Sequence, residues 1–222
     1  MGETSSKIKV TAPSSAPIVV ALIAGLLVIR EGIGLFWTLN GLLIFYGIME
    51  IIIAGILLIA LNIVDFGVEP LKKLYTWWII LILGILVIMF EIFASNFSII
   101  DAISSGMLLG GVLTVIAAVL EFMSAKEKMK PSQIVALFGV VYTVIEIIIL
   151  FYFGGGQNIY HAIIGIIFII ILLLSMQKKV NLKVPYEWWV VLIIGFVLFS
   201  WILSGAGGTI ILISFILMLL AY

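Results

Sequence analysis

GLLIFYGIMEIIIAGILLIALNI, residues 41–63, is an unbroken apolar run whose single charge is Glu50. A helix that crosses the hydrocarbon core of a bilayer needs about 20 such residues. A barrel strand would instead alternate apolar and polar residues over roughly ten positions, so this run reads as a transmembrane helix. Comparable runs lie at 18–38, 76–97, 103–123, 132–153, 159–176, 187–204 and 207–222. The last is the shortest and follows directly on Gly205-Ala206-Gly207-Gly208. The sequence therefore predicts an all-α integral membrane protein with eight transmembrane helices. Tyr75, Trp77 and Trp78 open the third run and Tyr186, Trp188 and Trp189 the seventh, where an interfacial aromatic belt is expected.

Composition agrees. The chain is 65% apolar and 10% charged, against roughly 45–50% apolar in soluble domains. All ten lysines, Lys7, Lys9, Lys72, Lys73, Lys126, Lys128, Lys130, Lys178, Lys179 and Lys183, fall in the N-terminal tail and in every second loop. The intervening loops, around Asn40, Asn96, Gly155 and Gly205, carry no Lys or Arg. This positive-inside bias predicts a multi-pass protein of the cell (plasma) membrane with both termini cytoplasmic. The formal net charge is zero, and lysines spread so thinly suit lipid head groups and offer nothing to nucleic acid. With no cysteine, disulfides, thiolate metal sites and cysteine nucleophiles are excluded. Residues 1–16 are polar and lack the apolar core of a cleavable signal, so the first run is expected to act as an uncleaved anchor. Met1-Gly2-Glu3-Thr4-Ser5-Ser6 fits the short N-myristoylation pattern, which would add little to eight spans.

The chain repeats itself. Tyr75-Thr76-Trp77-Trp78 through Gly84 matches Tyr186-Glu187-Trp188-Trp189 through Gly195 at a shift of 111 residues. Val20-Ala21-Leu22, Glu31 and Leu35-Phe36 match Val135-Ala136-Leu137, Glu146 and Leu150-Phe151 at a shift of 115, and Asn40 and Gly47 match Asn158 and Gly165 at 118. These shifts predict four helical hairpins in two homologous halves. After a polar cytoplasmic tail (1–16), the first half is 17–123, with hairpins 17–63 and 76–123. A basic cytoplasmic linker at 124–131 leads to the second half, 132–222, with hairpins 132–176 and 187–222. Each hairpin enters and leaves on one side, which predicts parallel repeats about an axis along the membrane normal.

Each hairpin pairs a run bearing a small residue with a second run bearing Gly, as in Ile23-Ala24-Gly25-Leu26-Leu27-Val28-Ile29 followed by Gly41-Leu42-Leu43-Ile44-Phe45-Tyr46-Gly47. This pattern resembles the short-repeat membrane proteins of the HdeD family over most of the chain. Six spans are usual in that family, against eight here. The resemblance implies a prokaryotic cell-membrane protein connected with stress tolerance, and it brings no catalytic residues.

Charge within an apolar run costs roughly 2.5–3.5 kcal/mol on insertion scales, which makes such residues functional candidates. They are Arg30, Glu31, Glu50, Glu91 and Glu146. Ala24 precedes Glu31, Gly84 precedes Glu91 and Gly139 precedes Glu146 by seven residues, about two turns, so a small-residue seam should lead into each carboxyl group. All three are expected to face inward at similar depth in the outer half of the bilayer. Tyr46 and Tyr142 lie four residues before Glu50 and Glu146, a spacing that makes them candidate hydrogen-bond partners. Arg30 and Glu31 are neighbours on the helix and point apart, so Arg30 is expected to meet Glu50, Glu91 or Glu146 on another helix. Such a cluster either carries protons or a small cation or joins helices as protonated polar glue.

His161, the single histidine, is a candidate pH sensor or a structural residue. One imidazole without a second excludes a bis-histidine haem, and no cofactor or metal is implied. Glu121 shares a helical stripe with Gly111, Thr114 and Ala118 and reads as an interfacial charge. Gly154-Gly155-Gly156 has no strand before it and no Lys after it, so it is a turn and not a phosphate loop. Asn96-Phe97-Ser98 is a glycosylation sequon on the expected outer side. No nucleophile–base motif occurs, so the chain is expected not to be an enzyme. Two readings remain: a non-enzymatic membrane protein, acting as a homo-oligomer or an accessory subunit of a larger complex, and a proton- or cation-coupled carrier or channel.

Overall fold

The computed structural model describes residues 15–38, 40–61, 75–123, 130–153, 159–176 and 185–221. Most of the polar tail and of the basic linker, every lysine except Lys130, and the turn Gly154-Gly155-Gly156 lie outside these residues. Among the described residues all regular structure is helical: α1 Ala16–Phe36, α2 Gly41–Ala60, α3 Trp77–Ala94, α4 Ile99–Ser104, α5 Leu109–Met123, α6 Pro131–Phe153, α7 Ile159–Met176, α8 Trp188–Trp201 and α9 Ala206–Leu219. Five of them, α1, α2, α3, α6 and α7, are long and apolar enough to cross a membrane, whereas α5, α8 and α9 are apolar but shorter. The 14 residues of α8 or α9 reach about 21 Å, less than the roughly 30 Å hydrocarbon core.

Local chemistry sets the boundaries. Proline sits in the first turn of α1 and opens α6, where its missing N–H is no loss. The Asn40 side chain accepts from the Leu42 N–H at 3.0 Å and caps α2. Two expected runs end or begin elsewhere. The third stops at Ala94 because Asn96 and Phe97 take left-handed conformations, φ 55° and 64°. The fourth does not begin at 103: α4 runs through that position to Ser104, Gly106 turns the chain with φ 74°, and α5 starts at Leu109. Gly205, φ 68°, separates α8 from α9, and a Cβ at that position would strike the Phe199 carbonyl.

The chain divides into two compact units, Met1–Phe90 with Gly110–Phe122, and Glu91–Leu109 with Met123–Tyr222. In the first, α1 and α2 meet backbone to backbone, and a Cβ on Gly32 would lie 2.8 Å from the Gly47 carbonyl. Val28, Ile53, Ala54 and Val87 form a small core with Leu83 and Phe90. Gly84 of α3 lies against Val115 of α5, whose Cγ2 would be 2.9 Å from an added Cβ. Such close approaches are how helices associate where lipid removes the hydrophobic drive between them.

In the second unit α9 packs against both α6 and α8. Gly195 faces Leu212 and Gly208 faces the Phe199 backbone, so α8 and α9 run antiparallel. Gly165 of α7 lies against Ile147 of α6. Val140, Ile147, Leu150, Leu172, Leu198 and Ile211 belong to one core. The outward surface is just as apolar: α7 buries Ala162, Gly165, Ile169 and Leu172 and exposes Ile163, Ile166, Ile167 and Ile170. Water would not tolerate so continuous a face, and lipid suits it.

Candidate functional site

Glu146 is the best-defined centre. Gly139, two turns earlier on α6, lets α9 approach, since a Cβ there would lie 3.1 Å from the Gly207 carbonyl. Thr143, one turn before Glu146, turns its hydroxyl back onto the Gly139 carbonyl at 2.8 Å and packs against Gly207. Glu146 thus meets the first turn of α9, whose N-cap, Gly205, has no side chain to satisfy the free N–H groups. Its carboxylate fills that role. The Ser204 hydroxyl donates to Oε1, the Ala206 N–H donates to Oε1 at 3.3 Å and the Gly207 N–H to Oε2 at 3.2 Å. Both oxygens are engaged, and Glu146 is 0% exposed. A negative group at this end also opposes the positive pole of the α9 dipole.

Glu31 has a similar neighbour in the first unit: its Oε2 would be 2.6 Å from a Cβ on Gly110, in the first turn of α5. The same Gly110 packs on Val28 of α1, as Gly207 packs on Thr143 of α6. Glu50 of α2 is 0% exposed, and its Cβ approaches Gly32 of α1, where an added Cβ would be 3.3 Å away. Its two carboxyl oxygens make no hydrogen bond among the described residues. Glu31 and Glu50 are close enough to repel one another when both are ionised. Glu91 is also 0% exposed.

Arg30 stands apart. It is exposed on α1, because Glu31 turns toward Gly110 and consecutive helical residues diverge by roughly 100°. Nor does Tyr142 bond Glu146, whose oxygens are held by Ser204, Ala206 and Gly207. Tyr46 packs its ring on Phe90, centroids 5.9 Å apart. His161 is half-buried and meets Trp201 edge-on at 5.8 Å, in a cleft of about 390 Å³ shared with Leu150, Ser200 and Leu203.

Sequence reasoning missed Ser204, Ala206 and Gly207. The signal was present in Ser204-Gly205-Ala206-Gly207-Gly208, a serine and small residues between two short apolar runs, but nothing local said which carboxylate would meet them. Among the described residues no three His, Asp or Glu side chains gather into a metal site. Comparison with protein-family models, curated proteins and solved structures yields no match.

Proposed function

We propose that the chain is a non-enzymatic multi-pass membrane protein whose intramembrane glutamates join helices. The observation that carries this reading is Glu146, whose two oxygens accept three donors from the α8–α9 turn and the first turn of α9. A carboxylate so occupied caps a helix, with three of its roughly four acceptor sites already committed to the protein.

The architecture belonging to this reading is eight spans in four hairpins, arranged as two related halves in a prokaryotic cell membrane, with both termini cytoplasmic. Support for the repeat comes from contacts that recur between the halves, one partner of each at a shift of 111 or 115 and the other, on α5 and α9, at a shift of 97 that the sequence comparison did not show. Gly84 against Val115 has its counterpart in Gly195 against Leu212, Gly110 against Val28 in Gly207 against Thr143, and Glu31 beside Gly110 in Glu146 beside Gly207. The three short helices need a locally thin bilayer or turns set below its surface, each at modest cost. In this reading the protein is of the HdeD-like stress-related kind or an accessory subunit. Co-purification from native membranes separates these: a companion protein at fixed stoichiometry marks a subunit, and a lone chain or homo-oligomer the former.

A second reading, a proton- or cation-coupled carrier, draws its support from Glu50, buried beside Glu31 without a hydrogen bond among the described residues. Purified protein in vesicles loaded with a pH-sensitive dye, or with sodium or potassium indicators, decides between the two. The structural reading expects flux no greater than in empty vesicles and Glu50→Gln folding like the wild type. A flux present in the wild type and lost in a well-folded Glu50→Gln would overturn it in favour of transport.

A further inference from the structure

On the side of the second unit where Lys130 lies, the ends of four helices enclose a cavity of about 650 Å³ lined by Lys130, Ser132, Gln133, Ser175, Tyr186 and Met218 among others. The start of α6 forms one wall. The Lys130 carbonyl accepts from the Gln133 and Ile134 N–H groups at 2.9 and 3.3 Å, but a lysine side chain has no acceptor with which to cap the helix, and it adds a positive charge there. A second, independent feature points the same way. Ser132 is 0% exposed and lines the cavity, and its hydroxyl lies near the Tyr186 phenol without forming a hydrogen bond of good geometry among the described residues. Its neighbours are already engaged: the Tyr186 and Ser214 hydroxyls pair at 3.1 Å, and Ser214 donates to the Ser132 carbonyl at 2.7 Å. Burial keeps the Tyr186 phenol protonated to higher pH than usual, although hydroxyl contacts oppose that rise. Glu187, the nearest carboxylate in sequence, accepts from the Trp189 indole at 2.8 Å. Pro131 has no N–H and the Gln133 and Ile134 N–H groups are taken by the Lys130 carbonyl, so the buried hydroxyl and the lysine are the groups that call for an anion.

We propose that this cavity binds the phosphate of an anionic phospholipid headgroup, with Lys130 as counter-charge, the Ser132 hydroxyl as donor, and Met176 and Met218 against the apolar part of the lipid. Its volume suits a glycerophosphate group. Trp188 and Trp189 begin the adjacent α8 as interfacial residues do, so the cavity would open where headgroups are concentrated. The sequence segments on either side, 124–129 and 177–184, hold five more lysines and one glutamate, Glu127. They lie outside the described residues and are not part of the site, yet they favour an anionic surface over a zwitterionic one.

The test uses delipidated protein in a non-ionic detergent, titrated in parallel with dihexanoyl phosphatidylglycerol, dihexanoyl phosphatidylcholine and inorganic phosphate while Tm is followed. Phosphatidylglycerol should raise Tm where the other two do not. Lys130→Gln should weaken that protection about fivefold, the effect of one lysine near an anionic surface, and Ser132→Ala should weaken it as well. Lys7→Gln, which removes the same charge from the tail, should leave it unchanged. Retention of phosphatidylglycerol in native mass spectrometry gives a second readout for any variant whose melting is altered. Equal protection by inorganic phosphate would overturn the lipid assignment. Protection by neither anion, or wild-type binding in both Lys130→Gln and Ser132→Ala, would overturn the site.

Discussion

Glu146 and Gly207 are joined by a hydrogen bond across 61 residues of sequence, the Gly207 N–H donating to Oε2 at 3.2 Å. The bond reaches between two helices, and it exists because α9 starts with glycine and alanine where a self-capped helix would carry Ser, Asp or Asn. In a membrane the first-turn N–H groups have no water to turn to. A neighbouring carboxylate supplies the acceptors, and α9 is tied to α6.

Removing that acceptor should be costly. Glu146→Ala removes the acceptor of the Ser204 hydroxyl and the Gly207 N–H, while the Ala206 N–H keeps Ser204 Oγ at 3.3 Å, and should lower stability by about 2 kcal/mol or more, at about 1–3 kcal/mol for each buried unsatisfied group. Glu146→Gln should fall between alanine and wild type, because the amide keeps one acceptor oxygen and turns an NH₂ group toward a donor. That differs from the near-silent Gln substitution expected of a glutamate that is simply protonated glue. In a double-mutant cycle with Ser204→Ala, the coupling should be about 1 kcal/mol or larger. Reversible unfolding in mixed detergent measures all of these, and additive single losses would show that Ser204 and Glu146 act independently.

The glycines divide into those that permit contact and those that do not. Gly207→Leu should disrupt the second unit by several kcal/mol, since even a Cβ strikes Thr143. Gly55 of α2 meets nothing within 4 Å, so Gly55→Ala should stabilise by roughly 0.5–1 kcal/mol through helix propensity and reduced freedom of the unfolded chain. Melting temperatures of the two variants should move in opposite directions. A destabilised Gly55→Ala would mean that this face of α2 is covered in the native membrane.

How far the sequence was legible follows from the kind of physics involved. Apolar length and continuity are properties of one segment, so the helices over 16–36, 41–60 and 131–153 could be read directly. The interruption at Gly106 could not, because Ser104-Ser105-Gly106 is also tolerable inside a membrane helix, and only the positive φ reveals the turn. Glu31, Glu50, Glu91 and Glu146 stood out because charge is rare among so many apolar residues. Their partners did not: whether Glu146 meets Tyr142 or the start of α9 depends on which helix lies opposite, and spacing along one helix says nothing of that. Ser132 escaped for the same reason, and Tyr186, read only as an interfacial aromatic, shows its hydroxyl contacts once α6, α8 and α9 come together.

The orientation that the lysines predict can be checked chemically. Single cysteines at Lys73, Lys128 and Lys179 of this cysteine-free chain should react with an impermeant maleimide only after the membrane is opened, and those at Asn40 and Gly155 from outside in intact cells. Labelling at Lys128 in intact cells would reverse or break the proposed topology. Labelling at Gly155 only after opening would remove the hairpin between α6 and α7.

Arg30 provides the sharpest contrast between spacing and structure. Read along the sequence it is the natural counter-ion for a buried carboxylate, and Arg30→Ala should then cost about 3–5 kcal/mol by leaving that charge alone. The structure leaves Arg30 exposed on α1 while Glu50, Glu91 and Glu146 are each 0% exposed. An arginine at the lipid-facing surface is a burden on insertion, worth roughly 2.5–3.5 kcal/mol at the helix centre and less toward the ends. Arg30→Leu should therefore raise the fraction of α1 inserted in a translocation assay, and Arg30→Ala should leave unfolding in detergent within about 0.5 kcal/mol of wild type. Both measurements follow from the same placement. A loss of several kcal/mol on Arg30→Ala would return the guanidinium to a buried partner and refute the exposed position, whereas improved insertion with unchanged unfolding would fix Arg30 as a residue whose role lies outside the folded chain, at lipid or at a neighbouring protein.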